Sequence, residues 1–199
     1  MTNPGRLAAA LAVAAVCAAL PFARTTLART TGSSDRTQLT ASFSGMGLSF
    51  RYPASWQRAT WSDEVSSFAV PIVSLSTGQQ RQPCIMVTVS GGQALTCGDP
   101  VEALAPGGVL VSWDADGFPG FDLRNPNVTV AGRPALQTTS TDDGWCAALG
   151  GTEGITVLIP RHAPYTWYQM NACLRGPGLA PQKAEISAML RTVQIADSD

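Results

Sequence analysis

Residues 47–56 read GLSFRYPASW, and this stretch decides which kind of element begins the folded part of the chain. Leu48, Phe50 and Tyr52 alternate with polar residues, a pattern with a period of two that is typical of a strand with one buried face. Pro53 follows directly, and proline cannot supply the amide hydrogen that a continuing sheet needs. The stretch therefore predicts a half-buried β-strand that ends at the proline.

Apolar runs separated by turn residues predict more strands after this one. The predicted strands are Phe68–Leu75, Ile85–Val89, Val109–Trp113, Pro134–Thr141, Trp145–Leu149, Ile155–Ile159 and Tyr165–Leu174. Pro71 predicts an edge position or a bulge in the first of them. Asp142-Asp143-Gly144 predicts a tight hairpin turn. Asp99–Leu104 predicts a short helix, with Asp99 as its N-cap.

The pattern changes near the C-terminus. Ile186, Met189, Leu190 and Val193 lie at i, i+3, i+4 and i+7, which places them on one face of a helix that Pro181 is well placed to begin. We therefore expect an α+β fold class: a mostly antiparallel sheet with a C-terminal amphipathic helix packed on one face.

The stretch 47–56 also resembles the opening of PsbP-like domains, where a strand with an F-x-Y-P-x-x-W pattern enters the core. Trp167–Leu174, a helix over Pro181–Thr192 and a terminal strand over Val193–Ile195 match the order of elements at the end of that family. The resemblance covers the mature chain in element order and about ten residues in motif. It implies a PsbP-like sandwich with a binding or assembly role, as in the extrinsic photosystem protein and in exported bacterial proteins of unknown role.

The N-terminus has the pattern of an export signal. Arg6 precedes an apolar run, Leu7–Leu20, and a basic residue before 7–15 apolar ones is typical of secretory signals. Extended to Phe22, the run forms about 24 Å of helix, which is short against a hydrocarbon core of about 30 Å. We expect residues 1–28 to be a signal peptide or a weak membrane anchor, 29–43 a flexible Thr/Ser-rich stalk, and 44–199 a single globular domain.

The cysteines predict disulfides. Cys17 lies in the export segment, where a lipidation signal is the alternative, although Val16 before it fits such a signal poorly. An even number remains in an exported chain, which favours two disulfides with nearest-neighbour pairing, Cys84–Cys97 and Cys146–Cys173. Zinc is the alternative ligand, but no C-x2-C pair is present.

The segment from Asp114 to Asn127, DADGFPGFDLRNPN, has no regular period and predicts a long loop. Long ordered loops in compact domains are often functional, so we take this segment as a candidate binding loop. The candidate residues are Asp114, Asp116, Phe118, Phe121, Asp122 and Arg124. Two alternatives stay open: a calcium loop, whose pattern fails at Asn125, and a turn-rich connection with its aromatic side chains tucked on the core.

The composition and the net charge indicate which partners and functions to expect. The net charge of −1, with 14% charged residues, gives no strong field for nucleic acid, and contact with a membrane is expected only through the N-terminal segment. No nucleotide, metal or cofactor motif is present. We expect a non-enzymatic extracytoplasmic domain, secreted or tethered to the outer face of the cytoplasmic membrane, that binds a protein or a cell-envelope component. The alternatives are a tryptophan-lined carrier of an apolar molecule or lipid, and a small hydrolase that uses His162, the single histidine.

Overall fold

The structure describes most of the folded part of the chain. The computed structural model describes residues 38–60, 69–81, 84–116, 123, 125–161 and 167–196. All of them belong to one compact unit, residues 35–199. The predicted export segment lies outside these residues, and within them no helix combines the length and the apolar character needed to span a membrane.

Strands dominate the secondary structure. The strands are β1 (Ala41–Gly45), β2 (Leu48–Tyr52), β3 (Gln57–Thr60), β4 (Ala69–Ser76), β5 (Cys84–Val89), β6 (Gly92–Cys97), β7 (Val109–Asp116), β8 (Val128–Val130), β9 (Arg133–Ser140), β10 (Glu153–Pro160), β11 (Trp167–Leu174) and β12 (Gln194–Ile195), and the helices are α1 (Gly144–Ala148) and α2 (Ala180–Leu190). β1 begins inside the predicted stalk, and its Phe43 is buried in the core, so the folded part starts at least three residues before the expected boundary.

Seven antiparallel strands form the largest sheet, in the order β3-β4-β7-β11-β10-β9-β8. β7 and β11 pair over their whole lengths at its centre, from Val109 opposite Leu174 to Asp116 opposite Trp167. The pairing of β4 with β7 shifts register between Pro71 and Val73, which confirms the predicted bulge. β4 is an inner strand, so the bulge accommodates the proline without an edge position.

The main core lies between this sheet and a three-stranded sheet with the order β1-β2-β12. Phe50 on β2 stacks on Trp113 on β7 with ring centroids 5.3 Å apart. Ile186 and Met189 on α2 are buried in the same core. The predicted strand Leu48–Tyr52 and the predicted C-terminal helix are therefore confirmed as elements.

The predicted fold class is wrong. The described residues form a mostly β fold with three antiparallel sheets and two helices, not an α+β sandwich of one sheet with a helix packed on its face. The physical reason is that β1, β2 and β12 supply a second sheet, which brings Phe43, Leu48 and Phe50 into the core. The apolar stripe near the C-terminus gives one helix of 11 residues.

A second, smaller core lies on the opposite face of the large sheet. Leu110 and Cys173 are register partners there, because they alternate along their strands with residues of the main core. Their neighbours are Val101, Leu104, Cys146 and Leu149. Cys146 on α1 and Cys173 on β11 form a disulfide, which confirms one of the two predicted bridges.

Two local predictions in this region are wrong. Residues Trp145–Leu149 were expected as a strand, but Gly144–Ala148 is the helix α1, because the Asp143 carboxylate accepts hydrogen bonds from the first helical amides instead of shaping a hairpin turn. The segment Asp99–Leu104 is not helical. Leu104 instead donates its amide hydrogen to the carbonyl oxygen of Leu149, so this segment lies as an irregular cover on the second core.

β5 and β6 form a separate two-stranded hairpin with a turn at Ser90 and Gly91. Their register places Cys84 directly opposite Cys97. The side chains of both cysteines lie outside the described part of the chain, so the Cys84–Cys97 bridge stays a prediction.

Candidate functional site

A polar cleft opens on the face of the large sheet that also carries the second core. Its volume is about 490 Å³, within the range of small-ligand sites. The residues that line it are Pro71, Gly98, Asp99, Pro100, Ser112, Asp114, Asp143, Trp145, Thr156, Gln169 and Asn171. We call this feature the polar cleft.

Three neighbouring strands make the floor of the polar cleft. Ser112 on β7 pairs with Asn171 on β11, and Asn171 pairs with Thr156 on β10. Asp114 and Gln169 form the next row along the strands. Adjacent strands lie about 4.8 Å apart, so the floor is a regular grid of polar groups whose spacing the sheet fixes.

The floor residues hold one another in place. The Asn171 Oδ1 atom accepts a hydrogen bond from Thr156 Oγ1 at 3.0 Å and another from Gln169 Nε2 at 3.1 Å. The Asn171 Nδ2 and Gln169 Oε1 atoms have no hydrogen-bond partner within the described residues, so the floor offers donors and an acceptor to a ligand. Because these hydrogen bonds already restrict the side chains, a ligand that binds there causes a smaller loss of side-chain entropy.

Trp145 forms one wall of the cleft, and two aspartates fix its position. Its indole Nε1–H donates to Asp99 Oδ1 at 2.7 Å, and its backbone N–H donates to Asp143 Oδ1 at 3.0 Å. The side chain packs partly against the second core, and the disulfide at Cys146 ties the same helix to β11. The indole is therefore half-buried and fixed in orientation.

Gly154 makes room for this wall. A side-chain carbon at this position of β10 would overlap with the carboxylate of Asp143. The glycine therefore allows the N-cap of α1 to lie directly on the sheet, which brings Trp145 next to the floor.

The structure describes part of the sequence-predicted binding loop. Asp114 lies on β7 in the floor of the polar cleft, since the strand continues three residues beyond the predicted end at Trp113. Asp116 ends the same strand, and its side chain lies outside the described residues. Phe118, Phe121, Asp122 and Arg124 also lie outside them, so the loop as a whole stays a prediction.

Most of the cleft was not predicted from the sequence. Asp99 was expected as a helix cap, Asp143 as a turn residue and Trp145 as a strand residue facing a cavity. Thr156, Gln169 and Asn171 lie inside predicted strands, at positions where a polar residue replaces the apolar one that a fully buried strand would have. That polar alternation is the signal that could have indicated an uncovered face.

A second concave surface lies on the outer side of the three-stranded sheet, with a volume of about 560 Å³. Its outward-pointing residues are Ser42, Ser44, Ser49, Arg51, Arg191 and Gln194, and we call it the serine–arginine face. Within the described residues, the side chains of Arg51 and Arg191 make no hydrogen bond or ion pair. Unlike the polar cleft, this surface has no exposed aromatic wall and no side-chain network.

Two groups with shifted pKa values lie elsewhere. Burial raises the pKa of the Tyr168 phenol, and the positive charges of Arg161 and Arg133 oppose the shift. Burial also raises the pKa of Glu185 on α2, and a hydrogen bond from Trp56 opposes it. Tyr168 donates to the Met46 carbonyl oxygen at 2.6 Å and carries Arg161 over its ring, so its role is to join β11 to the turn between β1 and β2.

The alternative functions predicted from the sequence depend on tryptophan side chains, on His162 or on metal ligands. Trp56, Trp113 and Trp167 are buried in packing, whereas Trp145 lines a polar surface. His162 and Trp61 lie outside the described residues. Among those described, no three His, Cys, Asp or Glu side chains come together as a metal site.

Comparison with protein-family models and with curated proteins found no match to this chain. The resemblance to PsbP-like domains therefore stays a prediction, and the arrangement of the polar cleft carries the functional argument.

Proposed function

We propose that this chain is a non-enzymatic extracytoplasmic domain that binds a cell-envelope component through the polar cleft. The single observation that carries the proposal is the pre-organised floor and wall: three hydrogen-bonded side chains on a rigid sheet beside an indole that two aspartates fix. A site whose groups are already ordered loses little entropy when a ligand binds.

The location part of the proposal is supported by the Cys146–Cys173 disulfide. Stable disulfides are typical of oxidising compartments outside the cytoplasm, and the bridge in this chain holds the helix that carries Trp145. The N-terminal export pattern supports the same location from the sequence.

The binding role is favoured over catalysis by what the acidic groups do. Asp143 caps α1 and Asp99 orients Trp145, so each already uses a carboxylate oxygen for a structural hydrogen bond. A recognition site benefits from acceptors that are fixed in place, and these hydrogen bonds fix both aspartates. The cleft fits recognition.

Co-sedimentation tests the proposal. The full chain is mixed with the insoluble cell-envelope fraction of the host, and the bound fraction is compared with that of a variant carrying Gln169→Ala and Asn171→Ala. We expect the variant to bind at least tenfold more weakly.

The matched control carries Ser42→Ala and Ser44→Ala, which remove polar groups from outward-facing strand positions on the serine–arginine face. We expect it to bind like the natural protein. Equal binding by the cleft variant, at unchanged stability, would remove the cleft from the proposal.

A further inference from the structure

The polar cleft combines two surfaces of opposite character. The half-buried indole of Trp145 lines one side of the cleft, and the amides of Asn171 and Gln169 line its floor. A ligand that contacts both the indole and the amides needs an apolar face of C–H groups and polar groups at its edge, within one rigid ring.

The free atoms of the floor specify the polar rim further. Asn171 offers amide hydrogens, and Gln169 offers a carbonyl oxygen, because their other atoms bond to each other and to Thr156. A ligand hydroxyl both donates and accepts, so a row of hydroxyls can satisfy this mixture in either direction. An apolar ligand would leave these groups desolvated and unpaired, which is unfavourable.

The charges of the lining residues disfavour an anionic ligand. No cationic side chain is among the described residues that line the cleft, so an anionic group would meet only the aspartates there. Asp99 and Asp143 each use a carboxylate oxygen for a hydrogen bond, and no metal-type cluster is present among the described residues. An uncharged, hydroxyl-rich ligand fits the amide groups of Gln169 and Asn171.

We propose that the polar cleft is a saccharide-binding site, in which a sugar ring lays its carbon–hydrogen face on Trp145 and its hydroxyls on Gln169 and Asn171. This inference rests on the proposed function, since it names the chemistry of the envelope component. The cleft opens to solvent, so a longer glycan chain can continue past the bound ring.

Calorimetric titration of the full chain tests the inference. The probes are uncharged tetrasaccharides: β-1,4-linked glucose, α-1,4-linked glucose, β-1,4-linked mannose and β-1,4-linked N-acetylglucosamine. We expect at least one of them to bind, and Trp145→Ala to weaken that binding at least tenfold. Trp145→Phe keeps an aromatic face and should weaken it less.

Trp145 also packs against the second core, so a second variant separates recognition from folding. Gln169→Leu keeps the size of the side chain and removes its polar atoms, and we expect it too to weaken binding at least tenfold at unchanged melting temperature. Ser44→Ala on the serine–arginine face is the matched control and should leave the affinity unchanged.

The outcomes separate the inference from the function on which it rests. If no tetrasaccharide binds while the cleft variants still lose the envelope fraction, the saccharide inference is wrong and the cleft stays a binding site for another component. Spermine, a polyamine cation, is titrated as a further probe. Its binding at the cleft in place of the sugars would also contradict the saccharide inference. If envelope binding does not depend on the cleft, the proposed function fails first.

Discussion

Gly151 lies beside the Cys146–Cys173 disulfide, where a side-chain carbon would overlap with both sulfur atoms. We expect Gly151→Ala to lower the free energy of unfolding by about 1–3 kcal/mol, because overpacking forces the surrounding groups apart. Denaturant unfolding measures the change. Gly144→Ala is the control, since nothing lies within 4 Å of its added carbon, and equal stability of the two variants would contradict the account.

Glu185 makes stability depend on pH. Burial raises its pKa in the folded state, so the folded chain binds more protons than the unfolded chain just above the ordinary glutamate value, and stability falls as the pH rises through the folded pKa. Glu185→Gln keeps a partner for Trp56 without the charge. We expect a higher melting temperature than that of the natural protein at pH 7 and an equal one well below pH 4.

Melting curves at both pH values test the Glu185 prediction, with Glu102→Gln at an exposed site as the control. The control should change the melting temperature little at either pH. A gain for Glu185→Gln that is the same at both pH values would show that burial of the charge is not its cause.

At the scale of single residues, the sequence was informative where chemistry is local. Cysteine parity together with nearest-neighbour pairing predicted the Cys146–Cys173 bridge, and the lack of a regular period from Asp114 onward pointed to Asp114, which lies in the cleft. The roles of Asp99 and Asp143 could not be predicted, because each depends on a partner that only the fold brings near.

The disulfide acts at the scale of elements, since it ties α1 to β11. It closes a loop with a sequence separation of 27 residues, for which the loop-entropy relation gives a stabilisation of about 3–4 kcal/mol. We expect replacement of both cysteines by alanine to lower the free energy of unfolding by about that amount. A loss below about 1 kcal/mol in denaturant unfolding would contradict this view of the bridge.

The elements with a clear hydrophobic period were predictable, and those without one were not. β2, β9, β10, β11 and α2 have enough residues for a period of two or of 3.6 to stand out. α1 has five residues, too few for a helical period, and its start depends on the Asp143 cap. Asp99 is a suitable N-cap residue for a helix over Asp99–Leu104, but the backbone N–H of Leu104 instead donates to the carbonyl oxygen of Leu149.

At the largest scale, the described residues of the folded unit are organised around one large sheet with two different faces. One face packs against the three-stranded sheet and α2, and the other carries the second core together with the polar cleft. The fold class was mispredicted because the pairing of β12 with β2 joins residues near opposite ends of the folded part. No local pattern encodes that contact, which adds β12 to the sheet that β1 and β2 form.

The same long-range organisation explains why the cleft could not be predicted from the sequence. Thr156 and Asn171 lie on consecutive strands, but Ser112 lies on β7, far from them in the chain, and only the strand order places β7 beside β11. Their polar alternation predicts an uncovered face on each strand, but not that the three faces form one surface.

Carboxylate labelling with a water-soluble carbodiimide, read by mass spectrometry with and without the envelope fraction, tests most directly whether the polar cleft is the binding site. We expect bound protein to be labelled severalfold less at Asp99, Asp114 and Asp143, while labelling of Glu185 on α2, beyond the opposite face of the sheet, is unchanged. Equal labelling of the three aspartates in free and bound protein, or protection confined to other carboxylates, would contradict it.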